Sequence, residues 1–340
     1  MKGKNMKKIG NEGVLGIVMV LVIVVISVIN PNFLTISNFI DMVRSSIVTG
    51  VFAIGAMMVM ISGGIDVSFP AIAAFAMYAT TKLLNMAGYE GGMLLPFLTA
   101  MAIGAGLGGF NAFLVHNMRI PTFIATIGTQ NLFSGILLTF IGSNAIMNLP
   151  KCFTRFAKTS IVTVQGQVGN SSLPVSLLFL IGLAVAVYVI MQGTMLGRGI
   201  YAIGGSMVSA RRIGFSVGLI QCFLYCFVGA VAGAGGLIHT CLMRTSNPFD
   251  VLGTELSVIA AVVLGGTSIT GGRGTIKGTL MGVFTITIIS NSLILIGVST
   301  YWQRAVLGIL IIVSIALTTV QNRRAVKKVD RRMEGGKPRE

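Results

Sequence analysis

Long apolar runs alternate with short polar or glycine-rich breaks along most of the chain. Runs such as Val14 to Ile29, Leu177 to Met191 and Ala305 to Val320 contain no acidic residue, and about 20 largely apolar residues suffice to cross a bilayer core. Apolar length, Gly/Pro punctuation and charge predict spans at 13–30, 47–63, 69–84, 93–116 and 121–142. A second group is expected at 174–192, 214–241, 254–268, 275–296 and 302–320. The pattern predicts an all-α polytopic membrane protein of about ten transmembrane helices, with broken or short helices at Gly-rich segments.

Two breaks stand out inside the apolar pattern. In ISGGIDVSFP, Gly63 and Gly64 end one helix, Asp66 or Ser68 is placed to cap the next, and Pro70 suits its first turn. In LGGTSITGGRGTIKG, Gly265 and Gly266 are followed by Gly271, Gly272 and Gly274. Corresponding breaks in the two halves point to an internally duplicated transporter. Glycine also recurs every fourth residue at Gly274, Gly278 and Gly282, at Gly104 and Gly108, and at Gly229 and Gly233. Such stripes allow close helix approach, within one chain or at a dimer seam.

Between the two groups of spans lies a polar island, GRGIYAIGGSMVSARRIGF, from Gly197 to Phe215. It carries Arg198, Arg211 and Arg212 and no acidic residue, so it emerges into water, and basic loops face the cytoplasm. It either connects two helices or presents a surface to another protein.

Composition agrees with the spans. The 340 residues are 54% hydrophobic and 10% charged, with mean hydropathy +0.88, whereas soluble domains carry about 25% charged residues. The net charge of +16 sits largely at the two ends. Lys2, Lys4, Lys7 and Lys8 precede the first span, and a basic run from Arg323 to Arg339 follows the last. Flanking tails of this kind act as topology signals or anionic-lipid contacts rather than RNA-binding arms, which places both termini in the cytoplasm. Only Arg44, Lys82, Lys151, Arg155, Lys158, Arg244 and Arg304 of the 25 basic residues then fall outside. The expected organisation is a basic N-tail over 1–12, a transmembrane domain over 13–320 and a basic C-tail over 321–340. The external segment, 143–173, is either a short cap or amphipathic helix, or a plain loop. No A-x-A cleavage pattern follows the first apolar run, so it reads as an uncleaved span.

Candidate chemistry is sparse. Of Cys152, Cys222, Cys226 and Cys241, the pair Cys222 and Cys226 share a helix face, but no histidine or carboxylate stands near enough to them in sequence to complete a metal site; the four read as buried free thiols, and His116 and His239 are isolated. No metal site and no catalytic residue is therefore assigned. GTSITGGRG resembles a phosphate loop until Gly272 and Arg273 stand where Lys-Ser/Thr is required. The chain is therefore expected to be a transporter subunit without its own ATPase site, not an enzyme. Asp66 and Glu255 are the acidic candidates near membrane depth; Asp66 is a helix cap or a substrate ligand, and Glu255 suits a helix N-terminus. Among neutral groups, Asn111, Thr126, Gln130, Asn131, Asn291 and Ser292 fit either brief hydrogen bonds to a polyol or interhelical bonds. Asp66, Gln130, Asn131 and Asn291 are the candidates for a translocation path.

NPNFLTISNF, AIGAMMVMISGGIDVS, RIPTFIATIGT, GRGIYAIGGS, ELSVIAAVVLGGTSITGGRGTIKGTLMG and YWQRAVLGILI together resemble the ribose-type permeases of bacterial ATP-binding-cassette (ABC) sugar importers, in the family's order from about Pro31 to Leu317. The resemblance implies alternating access and import of a simple sugar, with ATP and Mg bound by a separate cytoplasmic ATPase and no cofactor on this chain. It also implies a second permease subunit, identical or paralogous, an extracytoplasmic sugar-binding protein, and residence in the bacterial inner membrane. The island then resembles the loop that engages the ATPase. The matching residues are Gly197, Arg198, Tyr201, Ala202, Gly204, Gly205, Ala210, Arg211 and Gly214. Ser206 replaces the family's Asn, Arg212 and Ile213 replace Leu-Ser, Pro70 replaces Gly, and Ser257 replaces Asp. Nucleoside and autoinducer permeases share this architecture, and an ATP-independent secondary transporter is the alternative from another class.

Overall fold

The computed structural model describes residues 30–165 and 170–299 continuously, with scattered positions between 13 and 28 and between 302 and 312. The expected basic tails, most of the span at 302–320 and part of that at 13–30 lie outside the described residues.

Helix α1, Ile36–Ile61, is the axis of the bundle and the most deeply buried of its long apolar helices. It starts where the Thr35 side chain accepts the Asn38 amide at 3.3 Å, eleven residues before the expected span at 47–63. Asn38, Asp41 and Arg44 hid this beginning, because they place polar groups in its first turns. From Ile47 onward its Val51, Ile54, Met57, Met58 and Ile61 are fully enclosed. A helix apolar all round needs neighbours on every side.

Around it stand α2 (Phe69–Met86), α3 (Leu94–His116) and α4 (Thr122–Ile136), the last continuing as a π-helical turn to Ile141. The segment after it holds a short helix, α5 (Lys151–Lys158), and an antiparallel hairpin of β1 (Ser160–Gln165) and β2 (Asn170–Pro174). The described residues otherwise form the expected all-α membrane-like fold, with this hairpin as their one small sheet. The Ser171 hydroxyl anchors it to α1 by donating to the Asp41 carboxylate at 3.0 Å. Next come α6 (Ser176–Gly193), α7 (Met195–Gly205), α8 (Met207–Arg212), α9 (Val217–Met243), α10 (Glu255–Leu264) and α11 (Ile276–Leu295).

Six helices among the described residues are long and apolar enough to cross a membrane: Ile36–Ile61, Leu94–His116, Thr122–Ile141, Ser176–Gly193, Val217–Met243 and Ile276–Leu295. Two of the other expected spans take different forms. The one at 69–84 is the helix α2, made more polar by Lys82 and Asn85 near its end. The one at 254–268 is only the ten residues of α10, about 15 Å against a hydrocarbon core of about 30 Å. Gly265 and Gly266 end it.

The glycine stripes close helix pairs within the chain. A Cβ on Gly104 or Gly229 would collide with the other's carbonyl, and one on Gly108 with the Tyr225 carbonyl, so α3 and α9 meet backbone to backbone. In the same way Gly282 of α11 faces the carbonyl of Ala261 on α10, and Gly278 that of Gly265 just past its end. These close approaches are made within one chain. Cys152 and Cys241 are buried, but Cys222 is exposed and Cys226 half-buried on α9, contrary to the buried reading for all four.

Candidate functional site

The island is helical rather than a loop. Thr194 caps α7 by accepting the Gly197 amide at 3.2 Å, and Ser206 caps α8 by accepting the Ser209 amide at 3.3 Å. Gly214, at φ +94°, then turns the chain toward α9. Gly197, Gly199, Ile200, Ile203 and Ala210 face inward. Arg198, Met207, Val208, Arg211, Arg212 and Ile213 are exposed. The outer face thus mixes three guanidinium groups with large apolar side chains.

Its inner face meets both helix breaks. The Gly272 amide donates to the Ile61 carbonyl at 2.9 Å, closing the end of α1 onto the 265–275 segment. Gly204 lies against both groups: a Cβ there would overlap the Ile61 carbonyl and come within 2.5 Å of the Gly272 nitrogen. Gly271 sits between Gly63 and Gly204, where a Cβ would approach each Cα to within 2.9 Å. Gly63, Gly266, Gly271 and Gly272 all hold positive φ, a backbone state that glycine enters without steric cost. The Tyr201 hydroxyl adds a bond to the Gly274 carbonyl at 2.8 Å. Gly274 itself packs on the Ile61 side chain. Three segments far apart in sequence therefore share one backbone junction. Gly64 packs against Thr122 of α4, beside this junction.

Asp66 is buried just beyond the first break. Its Oδ1 accepts the Ser68 amide at 2.8 Å and the Ser68 hydroxyl at 2.7 Å, while Asn111 of α3 donates to Ser68 Oγ at 2.8 Å. Thr126 of α4 bonds the Ile65 carbonyl at 3.2 Å and receives the Val67 amide at 3.3 Å. Contrary to the expectation that Asp66 or Ser68 caps α2, neither does so through its side chain; together they fix the non-helical segment before it. The other path candidates are not gathered here. Gln130 is half-buried, Asn131 is exposed and bonds its own helix at Ile127, and Asn291 pairs with Asn38 at 2.8 Å.

Sequence reasoning missed a cavity of about 300 Å³ between α1, α9 and the stretch leading into α10. Arg44, Thr49, Phe52, His239, Asp250 and Thr254 are among its lining. Composition could have hinted at it only through Arg44 and His239, polar interruptions in apolar runs.

The described residues thus form a multi-pass helical bundle of membrane-spanning character, with broken helices joined to an exposed basic island. Residues 38–315 match the family described as the permease component of the branched-chain amino acid transport system. The ribose import permease protein of Escherichia coli strain K12 is 30% identical over 300 residues, covering 88% of this chain and 91% of its own. The D-allose transport system permease protein of the same strain is 31% identical, covering 88% and 89%. An autoinducer 2 import system permease protein of Yersinia enterocolitica is 30% identical, covering 88% and 80%. The chain belongs to the ribose-type permease family of ABC sugar importers. No solved structure matches it.

Proposed function

We propose that this chain is the permease subunit of an importer that carries a simple sugar into the cytoplasm, powered by ATP and Mg on a separate ATPase. Ribose and allose, named for its relatives, set the expected substrate class. The carrying observation is the junction at Gly204, where the island rests on both helix breaks. An ATPase gripping the exposed face of Arg198, Arg211 and Arg212 would move α1 and the 265–275 segment together. Alternating access follows when two such permeases, identical or paralogous, are drawn together by ATP. A sugar-binding protein would load the opposite face, in an inner membrane with both tails and the island cytoplasmic, as the charge bias supports.

Uptake by vesicles holding the chain, its cognate ATPase and its binding protein tests this reading. Reversing Arg211 and Arg212 together to Glu is expected to abolish ATP-driven uptake while the chain still assembles in the membrane. Full uptake by that variant would remove the docking role, and uptake driven by an ion gradient without the ATPase would favour a secondary transporter. Transport of autoinducer 2 in preference to every monosaccharide would assign the chain to that branch instead.

A further inference from the structure

We infer that the cavity between α1 and α9 is a binding station for a neutral polyol on its way through the permease. The inference rests on the sugar-importer reading and adds a place and a set of residues to it. The cavity holds about 300 Å³, at the small end of ligand pockets, which run from about 300 to 1,000 Å³. Its α1 wall, from Arg44 to Phe52, begins 17 residues before Ile61, so Arg44 stands about 25 Å along the helix from the glycine junction. On the proposed topology, that is the side from which a binding protein would deliver its sugar.

The lining suits a molecule with polar edges and C–H faces. Arg44 donates through Nη2 to the Leu242 carbonyl at 3.4 Å, and its planar fork carries further N–H donors. Asp250 accepts from Asn247 Nδ2 at 2.7 Å through Oδ1, and its Oδ2 stands 3.6 Å from His239 Nε2. That imidazole nitrogen is buried with no hydrogen-bond partner among the described residues. A buried polar atom without a partner is unfavourable, and a ligand hydroxyl would relieve it. Thr49 and Thr254 add hydroxyls, while Phe52, Val251 and Val258 supply an apolar wall. The charges of Arg44 and Asp250 offset each other, so the site favours a net-neutral ligand over an anion or a cation. Vicinal hydroxyls can donate to the carboxylate and accept from the guanidinium at once.

The test follows uptake of labelled pentoses and hexoses, D-ribose and D-allose among them, by vesicles holding the full chain with its ATPase and binding protein. Wild type is compared with Asp250→Asn, His239→Gln and Thr49→Trp at equal recovery of assembled complex. Losing one charge-assisted bond lowers binding by about tenfold or more, so Asp250→Asn is expected to raise the KM for uptake by that factor, and His239→Gln, which removes a neutral bond, by a smaller one. Thr49→Trp fills the cavity and is expected to block uptake. If Asp250→Asn disturbs its loop and fails to assemble, Thr49→Trp and His239→Gln decide the matter. Wild-type rate and sugar preference in the variants that assemble would overturn the binding station while leaving the importer reading intact. A wild-type complex that moves none of the sugars would overturn both.

Discussion

Ile61 ends α1 with its carbonyl 2.9 Å from the amide of Gly272, a residue more than two hundred positions away. Gly204, on the island, fills the remaining space beside that bond. No side chain mediates the contact, so there is little slack in it. A rigid contact of this kind carries displacement from one segment to the next, whereas a side-chain contact can yield by changing rotamer.

The neighbouring glycines of the island should therefore behave oppositely. Gly204→Ala forces a Cβ into the Ile61 carbonyl and must shift backbone, whereas nothing lies within 4 Å of a Cβ on Gly205. Overpacking costs about 1–3 kcal/mol, so Gly204→Ala is expected to lower thermal stability in detergent and sharply reduce ATP-driven uptake. Gly205→Ala is expected to keep both, with a gain of up to about 0.5–1 kcal/mol from helix propensity. Melting temperatures and uptake rates of the pair measure this, and equal behaviour of the two would argue against a tight junction.

The seam between α3 and α9 allows a similar contrast away from the island. Gly108→Ala would drive a methyl group into the Tyr225 carbonyl, and Gly229→Ala into that of Gly104. Gly106, on the same helix as Gly108, has open space where its Cβ would stand. Either seam substitution is expected to cost about 1–3 kcal/mol, seen as a lower unfolding midpoint, with Gly106→Ala unchanged within error.

The glycine breaks were legible in the sequence because doublets such as Gly63-Gly64 and Gly265-Gly266 interrupt apolar runs that otherwise continue. What they touch was not legible. The Ile61–Gly272 bond and the approach of Gly204 are tertiary contacts between remote segments. The start of α1 was missed because a buried helix can carry Asn38, Asp41 and Arg44 at its end, where hydropathy alone places a loop. The helices of the island were hidden by five glycines, which depress helix propensity; the Thr194 and Ser206 caps restore it locally. The cavity was invisible for a simpler reason: Arg44 and His239 lie almost two hundred residues apart and meet only in the folded bundle.

Exposed charge outside the bundle should matter far less. Lys151 bonds Glu90 at 2.5 Å, but both side chains are largely in water, and the ammonium group holds the Glu90 carboxyl below its ordinary pKa. Any stabilisation from this pair is present above the unfolded carboxyl pKa and fades as pH falls through the lowered one. Solvent screening keeps exposed pairs weak. Lys151→Ala is accordingly expected to leave the unfolding midpoint unchanged at neutral pH and its salt dependence nearly flat.

Asp66 separates a structural role from a substrate-binding one. Its Oδ1 holds two donors of Ser68, whose own hydroxyl receives Asn111, so the carboxylate sits at the base of a chain of bonds joining the break to α3. Asp66→Ala leaves the buried Ser68 amide and hydroxyl without their acceptor, at about 1–3 kcal/mol. Asp66→Asn keeps a carbonyl oxygen that can accept both and is expected to cost less. A structural group affects stability in that order while leaving the KM of assembled complex for sugar unchanged, because no ligand contact is lost. A substrate ligand would instead raise KM in both variants, including the one that still folds normally. Unfolding midpoints and uptake kinetics measured on the two variants distinguish these outcomes, and the hydrogen bonds around Ser68 predict the first.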